Sequence, residues 1–137
     1  MTDRQEAQEP AADRLRMPPA ERFAGTKHLF SLGEVLTWLR AEDHPARNGH
    51  RQVSLFHREQ VTQVLFAFEA DGYLKEHSAP GLVVIHALEG HLRVEAEGHK
   101  YDLPEDHELV LDPNVTHDVH ATARSAMLLT VHLKRTD

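Results

Sequence analysis

The chain has no cysteine, which excludes disulfide staples, thiolate nucleophiles and zinc sites built on sulfur. It is also short of positive charge. Its 15 Lys and Arg stand against 22 Asp and Glu, and the formal charge of −7 has the wrong sign for tracking phosphates or an anionic bilayer. Neither nucleic acid nor a membrane is expected as a partner. No window approaches the roughly 20 apolar residues that span a bilayer. The opening MTDRQEAQEP lacks the apolar stretch of a signal peptide. A cytoplasmic protein is the expectation.

With 137 residues the chain suffices for one domain with one core. Residues 1–25 are rich in Gln, Glu, Asp, Arg, Ala and Pro with scarcely any apolar pattern, so burial cannot offset the entropy of ordering them. They are expected to form a flexible N-terminal tail, or to lie over the domain near Phe23, ahead of a single domain over residues 26–137. At Phe30 the pattern sharpens. Ser31 and Glu34 form an S-x-x-E capping box between the staple residues Phe30 and Val35. Leu32, Val35, Leu36 and Leu39 then repeat at helical spacing, predicting an α-helix over about 32–42.

After Gly49 the periodicity changes to short β-branched and aromatic runs. Nine strands are predicted: RQVSLFH, VTQVLFAFE, GYLKEH, LVVIHALE, HLRVEA, HKYDL, ELVL, VTHDVHA and SAMLLTVHL, with Asp71-Gly72, Pro80-Gly81, Gly90, Glu97-Gly98, Pro104-Glu105, Pro113-Asn114 and Ala123-Arg124 between them. His91–Ala96 alternates, as a strand with one wet face does. LVVIHAL and the stretch from Val64 to Phe68 are apolar on both faces, so a doubled sheet or a subunit interface must cover them twice. The pattern predicts an all-β sandwich or barrel with one N-terminal helix.

Two segments carry a more specific signal: LKEHSAPGLVVIHALEGHLRV, over 74–94, and LVLDPNVTHDVHA, over 109–121. They resemble the two motifs of the cupin superfamily, and the chain is most similar to short single-domain bacterial cupins of unassigned reaction. The resemblance covers about residues 50–135. It implies a jelly roll (double-stranded β-helix) of six to eight strands, a homodimer, and a pocket at one mouth of the barrel. On this pattern Gly90 closes the first motif, His77 is its first histidine, and His117 is the histidine of the second. Ala79 then stands where the second histidine would be and Val83 where the glutamate would be, so the metal site is degenerate. Asp106, Asp112 and Asn114 replace a glycine, a proline and a glycine; Asn114 is the mild change, because Asn tolerates a left-handed backbone.

His is the residue that binds transition metals and titrates near neutrality, and the chain has 12. His77 and His117 leave three readings open. They can hold one divalent transition metal (Zn, Ni, Fe, Mn or Cu) with a third ligand recruited from elsewhere, line a polar cavity as neutral hydrogen-bonded rings, or act as acid and base on an organic ligand. Strand parity places Val83 and Ile85 toward the pocket, and Gln63, Tyr73, Lys75 and Tyr101 are further lining candidates. The same parity turns His120 outward and sends His86 to an apolar face, where it meets a partner subunit unless a bulge returns it to the pocket. The function expected is small-molecule binding around His77 and His117, with a metal-dependent oxygenase or isomerase acting on a small organic substrate as the alternative. Whether the chain is an enzyme stays open, because a fold does not choose between these.

Overall fold

The computed structural model describes residues 23–133. Residues 1–22 and 134–137 lie outside the described residues, and with them most of the tail expected over 1–25. Helix α1 (Leu32–Arg40) starts where the capping signal put it: the Ser31 hydroxyl accepts from the Glu34 amide at 3.4 Å. It stops two residues before the expected end, at Ala41, whose amide donates to the Trp38 carbonyl while the Glu42 amide donates to that of Leu39.

Nine strands follow, one in each predicted segment: β1 (His50–Arg58), β2 (Val61–Phe68), β3 (Tyr73–His77), β4 (Leu82–Glu89), β5 (His91–Ala96), β6 (His99–Pro104), β7 (Glu108–Leu111), β8 (His117–Ala121) and β9 (Ser125–His132). They pair antiparallel into a five-stranded sheet, β1-β2-β9-β4-β7, and a four-stranded sheet, β3-β8-β5-β6. This is a cupin jelly roll with an N-terminal helix, one strand richer than the upper figure the resemblance implied.

The space between the sheets is filled. Phe66, Phe68, Val83, Ile85, Ala87, Leu92, Val94, Leu103, Val119 and Met127 form its buried core. A second core lies on the outer side of the five-stranded sheet, where Val35, Leu36 and Leu39 of α1 cover Val53, Leu55, Leu65, Ala67 and Ala126. From Val64 to Phe68 strand β2 can be apolar on both faces because the opposite sheet covers one side and α1 the other. Each fully buried helix side chain contributes roughly 1.5–3 kcal/mol. The amphipathic stripe finds its cover within the chain, so it gives no reason of its own to expect a partner subunit. Phe23 packs edge-on against Phe56 with ring centroids 5.7 Å apart, and Arg58 donates to the carbonyls of Phe23 and Gly25.

Several turns need a left-handed backbone, and the sequence supplies it unevenly. Asn114 takes φ 68°, and Asp106, which stands where the resemblance has a glycine, does the same at φ 64°. Gly90 sits at φ 78°, and a Cβ built there would run into the backbone of Arg124 and Ser125. The Ser125 hydroxyl below it accepts from the His91 amide at 3.0 Å, so neither neighbour is free to retreat. Gly90→Ala is accordingly expected to destabilise the fold by about 2–4 kcal/mol, combining left-handed strain with backbone overlap. Urea unfolding measures it, and a loss below about 1 kcal/mol would mean that this turn is looser than its geometry.

Candidate functional site

His77 is the last residue of β3 and His117 the first of β8, and the register pairs them directly. What brings them face to face is a bulge. Leu74 pairs with Val119, yet three steps along β3 correspond to two along β8 before His77 meets His117. Without the extra residue Glu76 would oppose His117, and strand parity would turn His77 to the outer surface. With it, both imidazoles project from the face of the four-stranded sheet that carries Val119 and Ala121 into the core. Their ring centroids are 4.3 Å apart at an interplanar angle of 55°.

Each ring is held by the backbone two residues before it. His77 Nδ1 lies 2.7 Å from the Lys75 carbonyl and His117 Nδ1 lies 3.0 Å from the Val115 carbonyl. A carbonyl oxygen only accepts, so both Nδ1 atoms carry the proton and each Nε2 is left as the nitrogen available to something else. The surroundings differ. His117 is 2% exposed, the only buried histidine among the described residues, while His77 is exposed at the rim. The pair thus forms a step from solvent into the top of the core rather than a sealed chamber.

The other residues expected at the site separate. Val83 and Ile85 point inward as parity predicted, but they sit at 3% and 0% exposure in the packed core, beneath any ligand that stays in contact with water. Gln63 lies on the other face of its sheet: Val64, Phe66 and Phe68 face the core, so the odd positions of β2 face outward, where Gln63 Nε2 reaches Thr130 Oγ1 at 3.3 Å. Tyr73 bonds Asn48 at 3.3 Å, away from the pair. Tyr101 shares the inner-face register with Leu103, is 39% exposed, and lies 6.4 Å from His99 between ring centroids.

His99 is the residue that sequence patterning gave no role. His77, His117, Ala96 and His99 occupy one row across the four adjacent strands. The signal was present, since the alternation of Leu92, Val94 and Ala96 passes through the Glu97–Gly98 turn directly onto His99. His86 lies outside the site, half-buried on the outer face of β4, with Nε2 3.9 Å from Asp106. The irregularity in β4 comes only after Ala87, too late to turn His86 inward. His120 faces outward toward Asp71 at 3.5 Å.

A resident metal does not fit this donor set. Ala79 and Val83 offer no ligand atom at the two positions where the resemblance requires them, and among the described residues no third His, Asp or Glu gathers with the pair. Two imidazoles fall short of the three or four protein ligands that usually hold a transition metal.

A family model described as the AraC-like ligand binding domain matches residues 61–132, slightly more than half of the chain. The chain belongs to this family of AraC-like ligand-binding domains, which is of cupin type. Solved structures agree on the fold. A conserved protein of unknown function from Streptococcus pyogenes superposes with a TM-score of 0.66 at 17% identity, covering 82% of this chain and 93% of that one. A cupin superfamily protein from Desulfitobacterium hafniense gives 0.64 at 17%, covering 87% and 99%. A salicylate 1,2-dioxygenase from Pseudaminobacter salicylatoxidans gives 0.59 at 17%, covering 74% of this chain and 31% of that one. No curated protein matches the chain. Among the described residues of this AraC-like domain no helix is long and apolar enough to cross a membrane.

Burial lowers the pKa of His117 from 6.5, and the charge of neighbouring His77 adds to the effect, against the raising influence of the Val115 carbonyl and Asp118. As pH falls through about 6.5 the unfolded chain takes up this proton before the folded one, so stability is lost downward from that pH until folded His117 also protonates. Proton NMR of the ring should show His117 titrating below 6.5. His117→Gln should remove the corresponding part of the pH dependence of urea unfolding, and an unchanged profile would contradict the assignment.

Proposed function

We propose that this AraC-like domain binds a small organic ligand at the barrel mouth, using the Nε2 atoms of His77 and His117 as paired hydrogen-bond acceptors and holding no metal of its own. The observation that carries this reading is the tethering of both Nδ1 atoms to backbone carbonyls, which leaves two acceptors side by side above an apolar floor. Such a site favours a neutral molecule that presents hydroxyl donors and rests an apolar face on Val115 and Ala79, both packed against the core. Tyr101 and His99 stand along the same rim as further polar contacts. The domain's role in this reading is recognition, because among the described residues no third metal ligand gathers with the pair.

A panel of hydroxylated small molecules followed by calorimetry and by the imidazole resonances tests this. A true ligand shifts the His77 and His117 signals, and His117→Ala weakens it at least about tenfold, or 1.4 kcal/mol. Untagged protein incubated with Fe, Mn, Zn, Ni and Cu should carry no stoichiometric metal. One metal per chain that His77→Ala abolishes would replace this reading with that of a metal-dependent enzyme; ligands that bind without disturbing either ring would also overturn it.

The same domain is proposed to pair with a second copy through the outer face of the five-stranded sheet beyond α1. There Val84, Thr130 and Val110 lie side by side, and Val110 is 48% exposed. Light scattering at tens of micromolar should give twice the chain mass, reduced to one by Val110→Asp; a monomeric parent protein would refute the pairing.

A further inference from the structure

At the end of the barrel away from the histidine pair, three arginines converge on one hollow. Arg40 comes from the last turn of α1, Arg51 from the start of β1, and Arg124 from the turn before β9. Together with Ala46, Ala67 and Ala70 they line a half-open cavity of about 280 Å³. In a chain whose charge is −7, such a concentration of guanidinium groups runs against the overall balance. Among the described residues only one of them is neutralised: Arg40 pairs with Glu89 at 3.1 Å and also reaches the Ser125 carbonyl at 3.4 Å. Arg51 donates to the His44 carbonyl, a contact that leaves its charge unbalanced. The Arg124 guanidinium has no hydrogen bond or ion pair among the described residues. Glu69 also lines the cavity, yet its carboxylate forms no ion pair with any of the three among the described residues.

We propose that this cavity binds a small organic dianion of the dicarboxylate class, independently of the histidine site. Guanidinium forks match carboxylate oxygens two by two, which favours an acid group over a halide or a neutral polar molecule. The volume lies just below the roughly 300–1,000 Å³ of drug-sized sites, so the ligand is small. The three alanine methyl groups give no hydrogen bond and suit the methylene carbons between two acid groups better than the oxygens of inorganic phosphate. The carbonyl end of α1 opposes an anion and Arg40 is already paired with Glu89, so the attraction rests on Arg51 and Arg124.

Succinate, glutarate, inorganic phosphate and neutral succinamide, compared at matched ionic strength by calorimetry and thermal unfolding, test the proposal. Succinate or glutarate should bind saturably and raise the melting temperature, with succinamide silent and phosphate weaker. Arg124→Gln and Arg51→Gln should each weaken the dicarboxylate at least about tenfold, while His117→Ala leaves it unchanged. Amide shifts in the wild-type protein should cluster at residues 40, 46, 51, 67–70 and 124, a readout that does not depend on any variant folding. Absence of saturable binding, phosphate binding tighter than either dicarboxylate, shifts centred on His77 and His117, or undiminished affinity in the two arginine variants would each overturn it.

Discussion

The extra residue in β3 is the constraint on which the histidine pair depends. Strand pairing between β3 and β8 fixes which backbone positions lie opposite one another, and side-chain parity then fixes which face each projects from. A regular ladder starting from Leu74 and Val119 would offer His117 a glutamate as its neighbour and send His77 into solvent. The bulge exchanges those two fates with one added residue. Bulges gather at the rims of barrels for this reason, since they re-aim a side chain where the pairing is about to end anyway. The carbonyls of Lys75 and Val115 then finish the task by holding each ring through its Nδ1.

The five-stranded sheet solves a different problem, that of a strand apolar on both sides. Leu65 and Ala67 of β2 belong to the outer core and Phe66 and Phe68 to the inner one, so successive residues are buried against different elements. Helix α1 extends over only part of that outer face. Beyond it Val84 and Val110 are left incompletely covered. The same helix ends at Arg40, whose bond to Glu89 joins it to the end of β4. The helix thereby covers one core and helps to wall the arginine-lined cavity.

Most of the strands were legible because turn residues bound them, although the Glu59–Gln60 turn between β1 and β2 carries none of the usual ones. Asp71, Asp106 and Asn114 take positive φ where the sequence shows turn residues, and Gly90 occupies a position that admits no side chain. The convergence of His77 and His117 could be read from the motif resemblance, but its cause could not. Nothing in Lys75 or Glu76 marks a bulge, which follows from the register two strands must share and not from a local preference. Gln63 shows the same limit. It precedes Val64, Leu65 and Phe66, all apolar, so alternation gives no clue to which side is inner, and only the assembled sheet places it beside Thr130. For Val83 and Ile85 the direction was legible and the depth was not, because depth depends on how far the opposite sheet closes over them.

The replacements at Ala79 and Val83 connect these points to function. A barrel that keeps four ligands spends four inward positions near its mouth on polar groups, and each must be satisfied once buried. Here Val83 is packed into the core and Ala79, which accepts the Asn114 amide at 2.7 Å through its carbonyl, packs against that core. The histidine pair stays polar there, its Nδ1 atoms already satisfied by the backbone and its two Nε2 atoms without a hydrogen-bond partner among the described residues. Burial holds His117 neutral at ordinary pH, which preserves its lone pair as an acceptor instead of a charge. With Ala79 and Val83 standing where the resemblance has ligands, the mouth is half apolar and half hydrogen-bond-accepting, the composition on which the proposed recognition of a small hydroxylated molecule rests.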